Sequence, residues 1–150
     1  METRMKNPAL ILGANPAIQT LMGTIYQSGI SLELLEYVGL RVGQLNNCEL
    51  CIGESLVRAK NNVVTRNRIE YVLTWQTSDA FDEAEKTALE LTEAITKLEH
   101  KYESVSEVLW KRTEQFFNEK ERAALVMFIS VMNMFTRINV ATLQLTAEWA

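Results

Sequence analysis

The sequence predicts an all-α fold, a compact, single-domain bundle of about six or seven helices spanning residues 1–150. Three observations carry that prediction. No segment alternates apolar and polar residues for long enough to make a half-buried strand, and no strand–helix–strand rhythm is visible. The only two prolines, Pro8 and Pro16, precede the body of the chain, so nothing beyond them breaks helices strongly. Three helix starts carry a capping residue with Glu three positions on: Asp82 with Glu85, Ser104 with Glu107, and Asn118 with Glu121.

A chain of 150 residues suits one domain and can bury a core without metals or structural disulfides. Apolar residues make up 47% and charged residues 23%, the balance of an ordered globular protein. A net charge of -4, with no basic stripe, argues against nucleic-acid and anionic-membrane partners. Near the N-terminus the apolar run Ala9 to Leu12 is too short for the core of a signal peptide. The cytosol is therefore the expected compartment. There, a close cysteine pair is more often catalytic, redox-sensing or metal-binding than structural.

The elements follow in order. Pro16 suits a first helical turn, where its missing N–H costs nothing, so a helix is expected over 16–28 and ends at Ser28-Gly29. Ser31 can cap a second helix with Leu35, Val38, Val42 and Leu45 on one face. Asn46-Asn47 interrupts it, and the cysteine pair opens a third helix to about Lys60. A fourth is expected near Thr65 to Trp75. The three capped starts give the rest. The last helix is expected from Glu119 to about Ala147, roughly 40 Å at ~1.5 Å per residue. Its charge-free stretch, Ala123 to Phe135, is shorter than a membrane span and flanked by Arg122 and Arg137. Being apolar almost all round, this helix is expected to be central or shared between subunits.

The chemistry centres on Cys48-Glu49-Leu50-Cys51. Residues three apart lie on one helix face, so the two sulfurs can meet in a disulfide. Asn46 or Asn47 can cap the helix that begins here. Its N-terminal amides favour a thiolate, and a low-pKa thiol beside a resolving partner oxidises to a sulfenic acid and then a disulfide. By the dipole argument alone Cys48, nearer the helix start, is the more activated thiol. Two other readings remain. The pair can be inert, buried, small apolar residues. A zinc site would need two more ligands, and the only other Cys or His in the chain is His100. His100, between Glu99 and Lys101, reads as a solvated residue.

The second helix adds an acid. Glu36, Gly39 and Gly43 share one face. A glycine costs roughly 1 kcal/mol against Ala in a helix interior, so two on one face imply a close helix approach. If the cysteine helix makes that approach, Glu36 faces the thiols as a proton acceptor, with its pKa raised by desolvation. The alternative is a surface carboxylate paired with a nearby Arg.

These residues resemble a family. The stretch Glu36-x4-Arg41-x2-Gln44-x-Asn46-x-Cys48-x2-Cys51, within a motif region of about 32–60, is similar to the signature of AhpD-like alkylhydroperoxidases in the carboxymuconolactone decarboxylase superfamily. Downstream, Phe81 to Leu89 resembles the acidic, capped helix start that follows the cysteine helix in such proteins. Phe117-Asn118-Glu119, with Asn133, Arg137 and Ile138, resembles their last helix. The resemblance implies an all-helical fold assembled into homo-oligomers, often trimers or hexamers. It implies a thiol peroxidase with no metal or other cofactor, using a hydroperoxide and an external thiol or dithiol reductant. Cys51 falls on the peroxidatic position, Cys48 on the resolving one and Glu36 on the proton-relay carboxylate.

One departure stands out. The family's motif places a His four residues after the second cysteine, and here that position is Ser55. A His can shuttle protons near neutral pH, whereas Ser55 can only hydrogen-bond. Glu54 is adjacent, but an anion near the thiols raises their pKa. The departure leaves two expectations: a dithiol peroxidase with weakened turnover, or a redox-responsive, general disulfide-exchange protein. A lactone-processing enzyme, as the superfamily name suggests, is disfavoured because members with that chemistry generally do not depend on a CxxC.

Overall fold

In the computed structural model, residues 2–98 and 103–145 are described. His100 and the expected end of the last helix near Ala147 lie outside them. Among the described residues every regular element is helical: α1 (Pro8–Ile11), α2 (Asn15–Tyr26), α3 (Leu32–Leu45), α4 (Glu49–Lys60), α5 (Val63–Arg68), a 3-10 helix (Ile69–Thr74), α6 (Glu83–Lys97), α7 (Glu107–Phe116) and α8 (Glu119–Thr142).

The starts show why these segments are helices. Ser31 Oγ accepts from Leu34 N at 3.2 Å and caps α3. Asp82 with Glu85, and Asn118 with Glu121, form reciprocal capping boxes at α6 and α8. The start expected at Ser104 moves by two residues. Ser106, not Ser104, caps α7, accepting from Leu109 N at 3.2 Å. That phase places Leu109 and Thr113, four apart, inside the protein.

The expected fourth helix divides in two. Asn62 caps α5, and from Ile69 the chain tightens into a 3-10 helix. The buried residues there are Ile69, Val72 and Trp75. They recur every three positions, a spacing that three residues per turn aligns on one face.

α3 is the hub, packed against α4, α6 and α8. Its sequence suggested one apolar face, yet Leu34, Leu35, Tyr37, Val38, Leu40 and Val42 are all buried, so it is enclosed on most sides. Leu89 and Leu91 of α6 and Leu125 and Ile129 of α8 complete the same core. Burying a side chain of this kind contributes about 1.5–3 kcal/mol.

α8 shares the centre, as expected from its composition. At 24 residues it is long and apolar enough to cross a membrane by length and composition. In the fold, however, Leu125, Phe128, Ile129 and Val131 face protein, and Asn133, Thr136 and Asn139 continue the buried face. Its C-terminal end is held by Arg4, whose backbone N–H donates to Thr142 O at 2.9 Å and whose Nη1 donates to Ala141 O at 3.1 Å. Those bonds satisfy carbonyls that a helix end leaves open.

Candidate active site

The site begins at the turn between α3 and α4. Asn46 ends α3, and its Nδ2 donates to Val42 O and to Asn133 Oδ1 of α8, both at 3.0 Å. Asn133 in turn donates to Thr96 Oγ1 of α6 at 3.0 Å and accepts from Arg137 Nη1 at 2.9 Å. Asn47 takes the left-handed conformation, φ 52°, which Asn tolerates better than most residues. The turn is therefore tied to the two helices behind it.

Neither asparagine caps α4. Cys48 does so itself, because the left-handed Asn47 leaves Cys48 as the last extended residue before the helix. Cys51 N donates to Cys48 Sγ at 3.2 Å. The two cysteines are joined as a disulfide, with Cα atoms 5.2 Å apart. Cys48 is buried at 4% exposure, whereas Cys51 is half-buried and opens onto a cavity.

Gly43 explains how close α4 comes. A Cβ there would lie 3.3 Å from both Cys51 Cβ and Ile52 Cγ1. Gly39 serves a different neighbour, since its nearest side chains are Phe128 and Met132 of α8 at 3.6–3.8 Å. The shared glycine face therefore receives two helices, with the cysteine helix at Gly43 alone.

Glu36 lines the same cavity as Cys51, but its carboxylate bonds to Arg58 of α4. Arg58 Nε donates to Glu36 Oε2 at 3.1 Å, with 30% of the Glu36 side chain and 50% of Arg58 exposed. Glu36 thus lines the same cavity as Cys51 while its carboxylate is paired with an Arg. Arg58 Nη2 also donates to Ser55 Oγ at 3.2 Å, and Ser55 is buried at 2% exposure. The position the resemblance gives to a titrating His is here a small hydroxyl tied through Arg58 to Glu36. Tyr26 of α2 lies at the same wall, about half exposed. Burial, and then the Glu36 carboxylate, hold its phenol above the ordinary value against an opposing pull from Arg58.

The cavity measures about 620 Å³. Met22, Phe128, Met132 and Phe135 make its apolar walls, and Glu36, Glu54 and Arg58 lie on its polar side. Two further residues, absent from the sequence reading, reach the Cys51 sulfur from α8. Thr136 Oγ1 lies 3.5 Å from Cys51 Sγ, and Asn139 Nδ2 lies 3.8 Å from it. The signal that could have found them is the run Asn133, Thr136, Asn139, three uncharged polar residues at three-residue spacing in an apolar helix. Among the described residues, no three His, Cys, Asp or Glu side chains converge as metal ligands would.

A model of the carboxymuconolactone decarboxylase family matches residues 15–94, a stretch that holds Glu36, both cysteines and Ser55. The chain belongs to the carboxymuconolactone decarboxylase family. A relative from Bacillus subtilis (strain 168), the uncharacterised protein YdfG, is 33% identical over 115 residues, 77% of each chain. Among solved structures, a protein of unknown function from Agrobacterium tumefaciens, assigned provisionally to antioxidant defence as AhpD, superposes with a TM-score of 0.85. It is 19% identical and covers 97% of this chain and 98% of its own. The debrominase Bmp8 gives a TM-score of 0.77 at 21% identity, covering 91% of this chain and 75% of that one. A peroxidase-related protein from Silicibacter sp. TM1040 gives 0.75 at 16% identity, covering 89% and 71%. These structures share the AhpD-like helical fold with this member of the family. Thr136 and Asn139 lie beyond the stretch that the family model matches.

Proposed function

We propose that the protein is a thiol-dependent peroxidase that reduces hydroperoxides through a Cys48–Cys51 dithiol/disulfide cycle, in an antioxidant role. The observation that carries this reading is the asymmetry of the pair: Cys48 is buried at the helix start, while Cys51 opens onto the apolar cavity.

In the first step the Cys51 thiolate attacks the terminal oxygen of R–O–O–H. The O–O bond breaks, Cys51 becomes a sulfenic acid, and R–O⁻ leaves and takes a proton to form the alcohol. In the second step the Cys48 thiolate attacks the Cys51 sulfur, and hydroxide leaves and is protonated to water. The bond that forms is the disulfide. An external thiol or dithiol then restores both thiols by exchange. Reductant reaches Cys51 first, because Cys48 is covered. Expelled Cys48 would be received by the Cys51 N–H at the helix start.

In this reading Glu36 is the proton acceptor. Its exposed pair with Arg58 is worth about 1 kcal/mol or less, so the carboxylate can be released cheaply. The cavity's apolar walls suit a hydroperoxide with a hydrocarbon body. A homo-oligomer belongs to the same reading, supported by exposed Leu56 and Val57 on the outer face of α4.

The test is peroxide-dependent disulfide formation in the reduced protein and in Cys51→Ser. Consumption of peroxide faster than by free thiol, abolished in Cys51→Ser, is expected. Consumption no faster than by free thiol would falsify the proposal.

The Ser55–Arg58–Glu36 chain favours a second reading. Because Ser55 does not titrate and Glu36 is engaged by Arg58, the protein can instead be a redox-responsive or general disulfide-exchange protein with weak peroxidase turnover. Rapid disulfide exchange with a model dithiol, without peroxide consumption, would select it.

A further inference from the structure

Two polar side chains of α8 converge on Cys51, and the dithiol cycle above does not use them. Thr136 is 3% exposed and Asn139 is 8% exposed. Their three-residue spacing places both on the helix face turned to the cavity. Thr136 Oγ1 is 3.5 Å and Asn139 Nδ2 is 3.8 Å from Cys51 Sγ.

The chemistry of the two groups differs. Thr136 has one hydroxyl proton and two candidates for it, because Met132 O lies 3.1 Å away. In the disulfide, the Thr136 hydroxyl donates to Met132 O. On reduction, a protonated Cys51 would donate its S–H to Thr136 Oγ1 while the Thr136 proton stays directed at Met132 O. When Cys51 is a thiolate, the hydroxyl turns to donate to sulfur. Asn139 Nδ2 carries only donors, so it favours the thiolate in either case. The other end of that amide, Asn139 Oδ1, is buried with no hydrogen-bond partner. The end of the amide that has a partner is the one at the sulfur.

The sulfurs thus have separate donors. Cys48 Sγ takes the Cys51 backbone N–H, and Cys51 Sγ takes the α8 side chains. The titratable and charged groups lining the cavity are Tyr26 on α2, Glu36 on α3, and Glu54 and Arg58 on α4. The residues α8 contributes to it are uncharged: Phe128, Met132, Phe135, Thr136 and Asn139.

We propose that Thr136 and Asn139 are catalytic residues that hold Cys51 Sγ as the thiolate, a function that Ser55 cannot supply by titration. This rests on the reading of Cys51 as the attacking thiol.

The test uses a Cys48→Ser background, in which Cys51 is the only thiol. The rate of alkylation by iodoacetamide is followed against pH, with circular dichroism to confirm the fold. Thr136→Val and Asn139→Leu, both uncharged and close in shape to the native residue, are each expected to raise the midpoint by about one pH unit. Thr136→Ser, which keeps the hydroxyl, is expected to stay with the parent. Midpoints of Thr136→Val and Asn139→Leu that coincide with the parent overturn the proposal. If Thr136→Val does not fold, Asn139→Leu decides alone. Peroxide consumption is measured in parallel on the chain that retains Cys48. Raised midpoints in a protein that consumes no peroxide would sink the peroxidase reading and leave this one standing.

Discussion

Gly43 lies against Cys51 so closely that a Cβ at position 43 would come within 3.3 Å of the cysteine's own Cβ. The redox pair is therefore positioned by an absent side chain on the neighbouring helix. Gly43→Ala gains about 1 kcal/mol of helix propensity but overpacks a buried contact, which costs about 1–3 kcal/mol. A net loss of roughly 1 kcal/mol is expected by urea denaturation, with slower alkylation of Cys51. Gly39→Ala is the control. Its Cβ would meet Phe128 and Met132 at ordinary contact distance, so unchanged or slightly raised stability is expected.

Ser55 offers a direct test of the missing relay. In Ser55→His an imidazole would stand one helical turn beyond Cys51, beside the cavity. Positioned general acid–base catalysis contributes about 10²–10⁴-fold. A gain of about tenfold or more in peroxide consumption is expected, less than that range because the new side chain must displace the Arg58 bond. An unchanged rate would show that Glu36 already exchanges protons with the thiols by another route.

Asn133 ties Asn46 to Thr96 and Arg137 behind the cysteine turn. Asn133→Ala strands buried partners, and each costs about 1–3 kcal/mol when left unsatisfied. A lowered urea midpoint is expected. Faster hydrogen exchange at the amides of 46–48 than in the wild type would show that the turn has loosened. Exchange confined to α8 would contradict the role given to Asn133.

Tyr37 predicts the response to alkali. Its ring is buried against Phe81, and its hydroxyl donates to Glu33. Burial first, and then that hydrogen bond, hold its phenol far above the ordinary 10.0. Above pH 10 the unfolded chain loses this proton while the fold keeps it. The fold then binds more protons than the unfolded chain, so stability falls as pH rises past 10. Tyr37→Phe is expected to be less stable at neutral pH but to lose less between pH 9 and 11. Parallel pH profiles for the two proteins would refute this.

The legible parts of the fold were those where pattern and cap agree. α3, α6 and α8 begin within a residue or two of their sequence signals, because Ser31, Asp82 and Asn118 satisfy amides that any helix start must satisfy; α2 starts where Pro16 fits its first turn, with no side-chain cap. The break at Ile69 was hidden. Propensity alone does not separate an α-helix from a 3-10 helix, although Ile69, Val72 and Trp75 carried the three-residue spacing. Ser104 and Ser106 were equivalent as caps until Leu109 and Thr113 fixed the phase. At the site, Glu36, Cys51 and Ser55 lie on α3 and α4 and line one cavity, with Cys48 bonded to Cys51 behind it. What local spacing could not supply was Arg58 reaching back to Glu36, and the two α8 residues at the sulfur. Both are contacts between helices, set by how α4 and α8 lie on α3.

The pairing of Cys51 with Thr136 spans 85 residues of sequence. A ribosome delivers the chain from its N-terminus, so the dithiol emerges well before the residues that surround its outer sulfur. In that interval the two cysteines are an unscreened pair, open to any oxidant or partner thiol. Only with α8 in place does the sulfur acquire its own chamber. The surroundings of Cys51 thus belong to the finished molecule and not to the local segment that carries the cysteines.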